Sequence, residues 1–311
     1  MSTTAQDIDP FEAFDRAMGS DSCIDPYPEF AALRAKGGIV EQEPSTGAGG
    51  VSLGATDGRT FLAVSHAAVS EVLREGRVFS SGAYKETMGL VMGPNILVMD
   101  EPEHGRYRSL IQKAFSKKAL EQWEEDLVRP VVTELVDQFA DRGHADLVRE
   151  LTFPFPVHVI AGMLGLPKED LPQFHAWAVE LISIAIDFQT GLNASKKLGE
   201  YLTPFIEARR KDPGVDLISV LVTGELDGQR LDNEHVLGFL RLLLPAGAET
   251  TYRSSSNLLY GLLTNAEQLS ALDRDRSLMI QAIEEGLRWE VPLTGIGRLC
   301  TEDTEVAGGK I

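Results

Sequence analysis

A chain of 311 residues, 43% hydrophobic and 24% charged, has enough apolar material for a sizeable globular core. Its 47 acids against 29 bases leave a formal net charge of −18, which disfavours nucleic acid as a partner. Two cysteines, Cys23 and Cys300, exclude a disulfide framework and a CxxC metal site, and the six histidines show no HExxH spacing.

The N-terminal stretch MSTTAQDIDPFEAFDRAM is polar and acidic, with neither the basic nor the apolar region of a signal peptide. No run of 18 uninterrupted apolar residues occurs, so no membrane anchor and a cytoplasmic location are expected. No repeat and no dividing linker is visible. Residues 1–311 therefore read as a single domain behind a loose leader, 1–24.

In chain order, Asp25 to Gly38 reads as a helix with its glycine stop, followed by β-like runs at 38–41 and 60–64 around a Gly- and Ser-rich turn at 45–54. Ser65 caps a further helix that ends near Gly76. Val78 to Met99 is long, irregular and unusually apolar. It is either a flap over a substrate or a loop that packs onto the core. Pro102 opens a helix in which His104 and Arg108 share one face. Two such donors can hold a carboxylate, or they can be a solvated basic face. An amphipathic helix over 116–142 is interrupted near Pro130. Helices follow at 146–165, where His158 reads as a satisfied core histidine, at 166–187 and at 193–211. Leu226-Asp-Gly-Gln in the turn region 212–230 signals a small hairpin.

Leu231 to Leu263 is the organising stretch, one long helix capped by Asp232 or Asn233. Its centre departs from good helix chemistry. Pro245 removes a donor, Ala246, Gly247 and Ala248 remove bulk, and Glu249, Thr250 and Thr251 bring an acid and two hydroxyls. A bond from Thr250 back to an i−4 carbonyl would locally open the ladder. Either a flat or bulky ligand lies against the gap with a proton path beside it, or this is a kinked core helix whose threonines satisfy themselves. Beyond it come a short acidic helix from Asn265, a helix over 277–289 with Glu285 and Arg288 at i, i+3, an extended stretch at 291–300, and a strand-turn-strand over 302–311.

Taken together, DEPEHGRYR, AGAETT, the EGLR of Glu285 to Arg288, and Arg298 resemble, in this order, the motifs of the cytochrome P450 haem monooxygenases of the soluble bacterial kind. The resemblance implies a mostly α fold with small β-sheets, a triangular prism around a long central helix. It implies haem b (iron protoporphyrin IX), with its propionates on His104, Arg108 and Arg298 and its ring against Ala246 and Gly247. Glu249 and Thr250 would deliver protons as the O–O bond of dioxygen breaks. Glu285 and Arg288 would form a structural ion pair. One oxygen atom would enter an apolar substrate, such as a terpenoid, sterol or fatty acyl compound.

By the same resemblance, electrons would come from NAD(P)H through a ferredoxin or flavodoxin with its reductase; Arg74, Arg77, Arg106, Lys113, Lys117 and Lys118, basic in a chain of net −18, are either a docking face for an acidic ferredoxin or ordinary solubilising charges. Tyr84, Met88, Leu90, Met92, Phe188, Leu243, Leu293 and Ile296 are the candidate substrate-pocket residues. The family's Gly-rich loop with its axial Cys is not in this sequence, so no metal ligand is assigned. The chain is read as C-terminally incomplete, expected to bind haem poorly by itself. A haem-free remnant and an unrelated helical binding protein are the competing readings.

Overall fold

The computed structural model describes residues 25–42, 59–182 and 187–311. The leader and the turn expected at 45–54 lie outside them. Described in chain order, the helices are α1 (Tyr27–Lys36), α2 (His66–Arg74), α3 (Glu103–Ala114), α4 (Lys117–Trp123), α5 (Arg129–Asp137), α6 (Pro154–Met163), α7 (Leu171–Ile182) and α8 (Phe188–Lys211). They continue with α9 (Leu217–Thr223), α10 (Asn233–Thr264), α11 (Ala266–Arg274) and α12 (Met279–Trp289). Strands β1 (Ile39–Gln42), β2 (Thr60–Ala63), β3 (Phe79–Ser80), β4 (Glu225–Leu226), β5 (Gln229–Arg230), β6 (Leu299–Cys300), β7 (Glu305–Val306) and β8 (Gly309–Lys310) form four two-stranded antiparallel ladders.

The centre is α10. Asp232 caps it, its carboxylate accepting the His235 N–H at 2.9 Å. At 32 residues the helix spans roughly 48 Å. Its first half is buried at Val236, Phe239, Leu240 and Leu244, against α6, α7 and α8. Gly238 is required there: a Cβ would fall 2.0 Å from the Pro94 carbonyl oxygen. Pro245 does not break the helix. The Thr250 hydroxyl donates to the Ala246 carbonyl at 2.6 Å, yet helical assignment runs through without the opening expected from the sequence.

Several boundaries follow from local chemistry. Ser65 accepts the Ala68 N–H and starts α2. Pro130 has no N–H to give, and a π-helical turn over Glu124–Val128 separates α4 from α5 just before it. The two short hairpins turn on Asp227-Gly228 and Ala307-Gly308, all four residues at positive φ, as tight antiparallel turns require. Asp187 caps α8, so that helix begins before the Asn193 expected from the sequence.

Two expectations need correction. Residues 78–99 are not an irregular loop: β3 is followed by short helical turns over 81–84, 85–89, 90–92 and 96–98, and Tyr84, Val91, Met92, Val98 and Met99 are buried. The 212–230 region contains α9, started by Asp216 accepting the Ser219 N–H. Its sequence LISVLVT is mostly apolar and lacks helical periodicity, because most sides of so short a helix meet core.

One large core joins α6, α7, α8 and α9 to the first half of α10. A smaller one holds Ala68, Phe79 and Val306 together.

Candidate functional site

Mid-α10 places its four predicted site residues in different surroundings. Ala246 is exposed, directly after the buried first half of the helix. Gly247 is not on that open side. A Cβ there would come 3.1 Å from Ile160 Cδ1, so its missing side chain lets α6 approach α10 rather than a ring approach the backbone. Thr250, one turn from Ala246, shares its side of the helix and is partly exposed. Glu249 turns toward α6 and α7. Its carboxylate receives a hydrogen bond from Arg253 Nη2 at 2.9 Å, one turn further on. Burial pushes the Glu249 carboxyl above the usual carboxylate range, and Arg253 partly offsets that. A buried carboxyl with a raised pKa thus neighbours in sequence a partly exposed hydroxyl. Arg253 was not anticipated from the sequence; its i, i+4 spacing from Glu249 was the available signal.

Hydrogen bonds join the chain segments that carry the three predicted cations. Asp100, just before α3, accepts the Ser81 N–H at 2.8 Å and also bonds the Ser80 hydroxyl. Ser80 belongs to β3, whose partner β6 begins directly after Arg298. The buried Tyr84 hydroxyl accepts the Gly297 N–H at 2.9 Å. These bonds tie the start of α3, which carries His104 and Arg108, to the segment carrying Arg298. His104 Nδ1 lies 2.9 Å from Glu101, whose carboxyl is held below the usual range by that bond and by the Gly105 N–H. Arg298 donates to the Gly297 carbonyl. Arg108 is exposed, and its side chain makes no ion pair or hydrogen bond among the described residues.

Other predicted positions divide. Glu285 and Arg288 do pair, at 2.6 and 2.7 Å, but with both side chains more than half exposed the pair does not act as a buried strut. Tyr84 and Met92 are core residues, 3% and 0% exposed, not pocket lining. Met88 is half-buried, and Leu243 packs against the main core. Leu90, Leu293 and Ile296 are exposed apolar side chains (61%, 48% and 50%), as is Phe188. Among the predicted docking cations, Arg106 pairs with Asp227 and Lys117 lies 3.7 Å from Glu121.

No family model matches the chain. It is 34% identical over 289 residues to the cytochrome P450 monooxygenase PikC of Streptomyces venezuelae, covering 89% of this chain and 65% of that protein. It is 32% identical over 297 residues to the vitamin D(3) 25-hydroxylase of Pseudonocardia autotrophica, covering 91% of this chain and 69% of the relative. The crystal structure of CYP109E1 from Bacillus megaterium in complex with testosterone superposes with a TM-score of 0.79 at 31% identity, over 93% of this chain and 73% of that one.

The chain belongs to the cytochrome P450 family.

It spans between 59% and 65% of the length of several curated P450 relatives that it matches. The mostly helical architecture with small sheets is the P450 fold. Among the described residues, no helix is long and apolar enough to cross a membrane.

Proposed function

We propose that these residues form the oxygen-side wall of a haem monooxygenase acting on an apolar organic substrate. Haem needs a flat apolar seat and cations for two carboxylates. The donor set fits: exposed Ala246 on α10, apolar Leu90, Leu293 and Ile296, and the rim of His104, Arg108 and Arg298. Bound there, haem would supply the activation of dioxygen for insertion of one atom into a C–H or C=C bond. The cations would hold the propionates. Glu249 and Thr250 would pass protons inward, the buried Glu249 carboxyl holding its proton more tightly than an ordinary carboxylate does. The observation that carries this reading is the exposed Ala246, with partly exposed Thr250 one turn on, in the middle of the longest helix. Replacing Ala246 with Trp tests it: the indole would fill the seat, and haem uptake, followed by absorbance, should fall. Unchanged uptake would reject it.

Electrons would come from NAD(P)H through a ferredoxin or flavodoxin and its reductase. Arg74, Arg77, Lys113 and Lys118 are exposed on and around α2, α3 and α4 in a chain of net charge −18, and would attract an acidic partner.

A second reading concerns the 311 residues taken alone. Cys300 is the one cysteine among the described residues. It lies on β6, where its Sγ donates to the Glu302 carbonyl at 3.2 Å, and this does not suit an axial thiolate. On this reading the chain by itself does not turn over. Product formed by the purified 311-residue chain with a redox partner would remove it.

A further inference from the structure

At the start of α3 the Glu101 carboxylate has both oxygens engaged. Oε1 lies 2.9 Å from His104 Nδ1, and Oε2 accepts the Gly105 N–H at 3.1 Å. Gly105 makes room for it: a Cβ there would fall 2.7 Å from Glu101 Oε2. The Gly105 N–H lies in the first turn of α3, at the positive end of the helix dipole. Held below the usual carboxylate range by these two bonds, Glu101 is an anion that only accepts, so His104 Nδ1 donates to it. His104 Nε2 makes no hydrogen bond or ion pair among the described residues. Glu101 is exposed and His104 half-buried, so the pair adds little to stability. Its consequence is for the ring: the bond made at one nitrogen decides which of the two carries the hydrogen.

We propose that Glu101, seated over Gly105, fixes the hydrogen of His104 on Nδ1 and leaves Nε2 for a porphyrin carboxylate, so that the ring takes up one proton as that carboxylate binds. This rests on the proposed propionate role of His104. Glu101 acts through His104 and is a positioning residue. The step balances simply. A neutral ring with its hydrogen on Nδ1 has a lone pair at Nε2, which repels a carboxylate. Binding therefore brings one proton from solvent to Nε2. One N–H bond forms, the ring gains one positive charge, and no electrons move. The imidazolium then donates one hydrogen bond to Glu101 and one to the propionate.

Two features favour this arrangement. The charged ring would lie between two anions, and each favours the imidazolium. A hydrogen bond from an imidazolium is also roughly twice as strong as one from a neutral ring. The other charged groups on these joined segments are Asp100, Glu103 and Arg108 at the start of α3, and Arg298 before β6. Asp100 is already engaged with Ser80 and Ser81. Arg108 and Arg298 oppose an added positive charge, and the second propionate offsets them. Glu101 thus gives His104 a stronger grip on a carboxylate than a neutral, freely turning imidazole would have.

The test is ring-nitrogen NMR of His104 in the 311-residue chain, its signals assigned as those missing from H104Q. Spectra are taken at a pH where the free ring is neutral, before and after adding metal-free protoporphyrin IX, which has the two carboxylates and no paramagnetic iron. Before addition, the parent should carry its ring hydrogen on Nδ1. In E101Q the amide oxygen stays on the Gly105 N–H and the NH2 group meets Nδ1, so the hydrogen should move to Nε2. G105A, which gains helix propensity but crowds the carboxylate, should shift it the same way. With porphyrin bound, both nitrogens of the parent ring should be protonated, and the ring midpoint in E101Q should lie lower by about half a pH unit or more. Backbone amide spectra report folding, and G105A decides if E101Q does not fold. A parent hydrogen on Nε2, or one that stays on Nδ1 in both variants, would overturn the proposal and leave the haem reading standing. Bound porphyrin that leaves the His104 signals unmoved would overturn the proposal together with the propionate role.

Discussion

Glu249 and Thr250 are neighbours in sequence that face different surroundings, and this division matters at the scale of single residues. The hydroxyl stands on the open side with Ala246, while the carboxyl is buried against α6 and α7 and tied to Arg253. Under the proposed proton-delivery role, a proton would be stored on one side of the helix and used on the other. In a haem-loaded protein supplied with electrons, E249Q should lower the rate of product formation on the order of 10²-fold, with substrate binding retained. Turnover close to the parent rate would exclude Glu249 as donor.

His158 makes a separate prediction about stability. Burial lowers its pKa from the ordinary 6.5; Glu134 opposes this and Lys168 adds to it. A depressed folded-state pKa contributes stability that is present above the unfolded value and lost as pH falls through the folded one. Thermal stability should therefore decline as pH drops below 6.5, and H158Q should flatten that decline. Parallel pH profiles for parent and variant would contradict the assignment.

Among the elements, α10 is where sequence pattern and packing meet most closely. Its span, its Asp232 cap and the Thr250 back-bond were legible because each depends on neighbours within one turn. What the gap in bulk is for was only partly legible. A run of Ala, Gly and Ala states that something comes close, but not from which side. Ala246 is open whereas Gly247 is filled by Ile160 from α6. Helix α9 and the helical turns of 78–99 were missed for a related reason: short buried segments take their shape from the core around them rather than from a period of their own. Tyr84 and Met92 looked like pocket lining for the same reason, since apolar character does not distinguish core from cleft.

The two glycines of α10 give a paired test. Ala at either position gains about 1 kcal/mol of helix propensity. At Gly238 that gain is outweighed, because the new Cβ would meet the Pro94 backbone at 2.0 Å. Gly238→Ala should destabilise the fold by about 1–3 kcal/mol. At Gly247 the nearest atom is the flexible end of Ile160 at 3.1 Å, which can move slightly, so Gly247→Ala should stay within about 1 kcal/mol of the parent. Denaturant midpoints compare the two directly. Equal effects would show that the Pro94 approach does not constrain α10.

For the whole molecule, the P450 fold was legible from four motifs that are each weak alone and specific only together and in this order. The geometry of the rim was not, since it depends on contacts between distant segments: Tyr84 with Gly297, Asp100 with Ser80 and Ser81, β3 with β6. The Glu285–Arg288 pair shows the converse limit. The i, i+3 pair is there, but its exposed setting was not legible from its spacing. Charge acts on the same scale. If an acidic redox protein docks on the cations of α2, α3 and α4, its electron-transfer rate should fall as salt is raised, and more weakly so in a K113A/K118A variant. A rate indifferent to salt would place the partner elsewhere.

The central claim is that haem lies flat on the Ala246 turn with its carboxylates on the His104, Arg108 and Arg298 rim. Absorbance titration of haem into the parent chain, into A246W and into a variant with Ala at all three rim positions tests this most directly. The account predicts clearly weaker uptake by both variants, each still folded by circular dichroism. Three superimposable binding curves would contradict it.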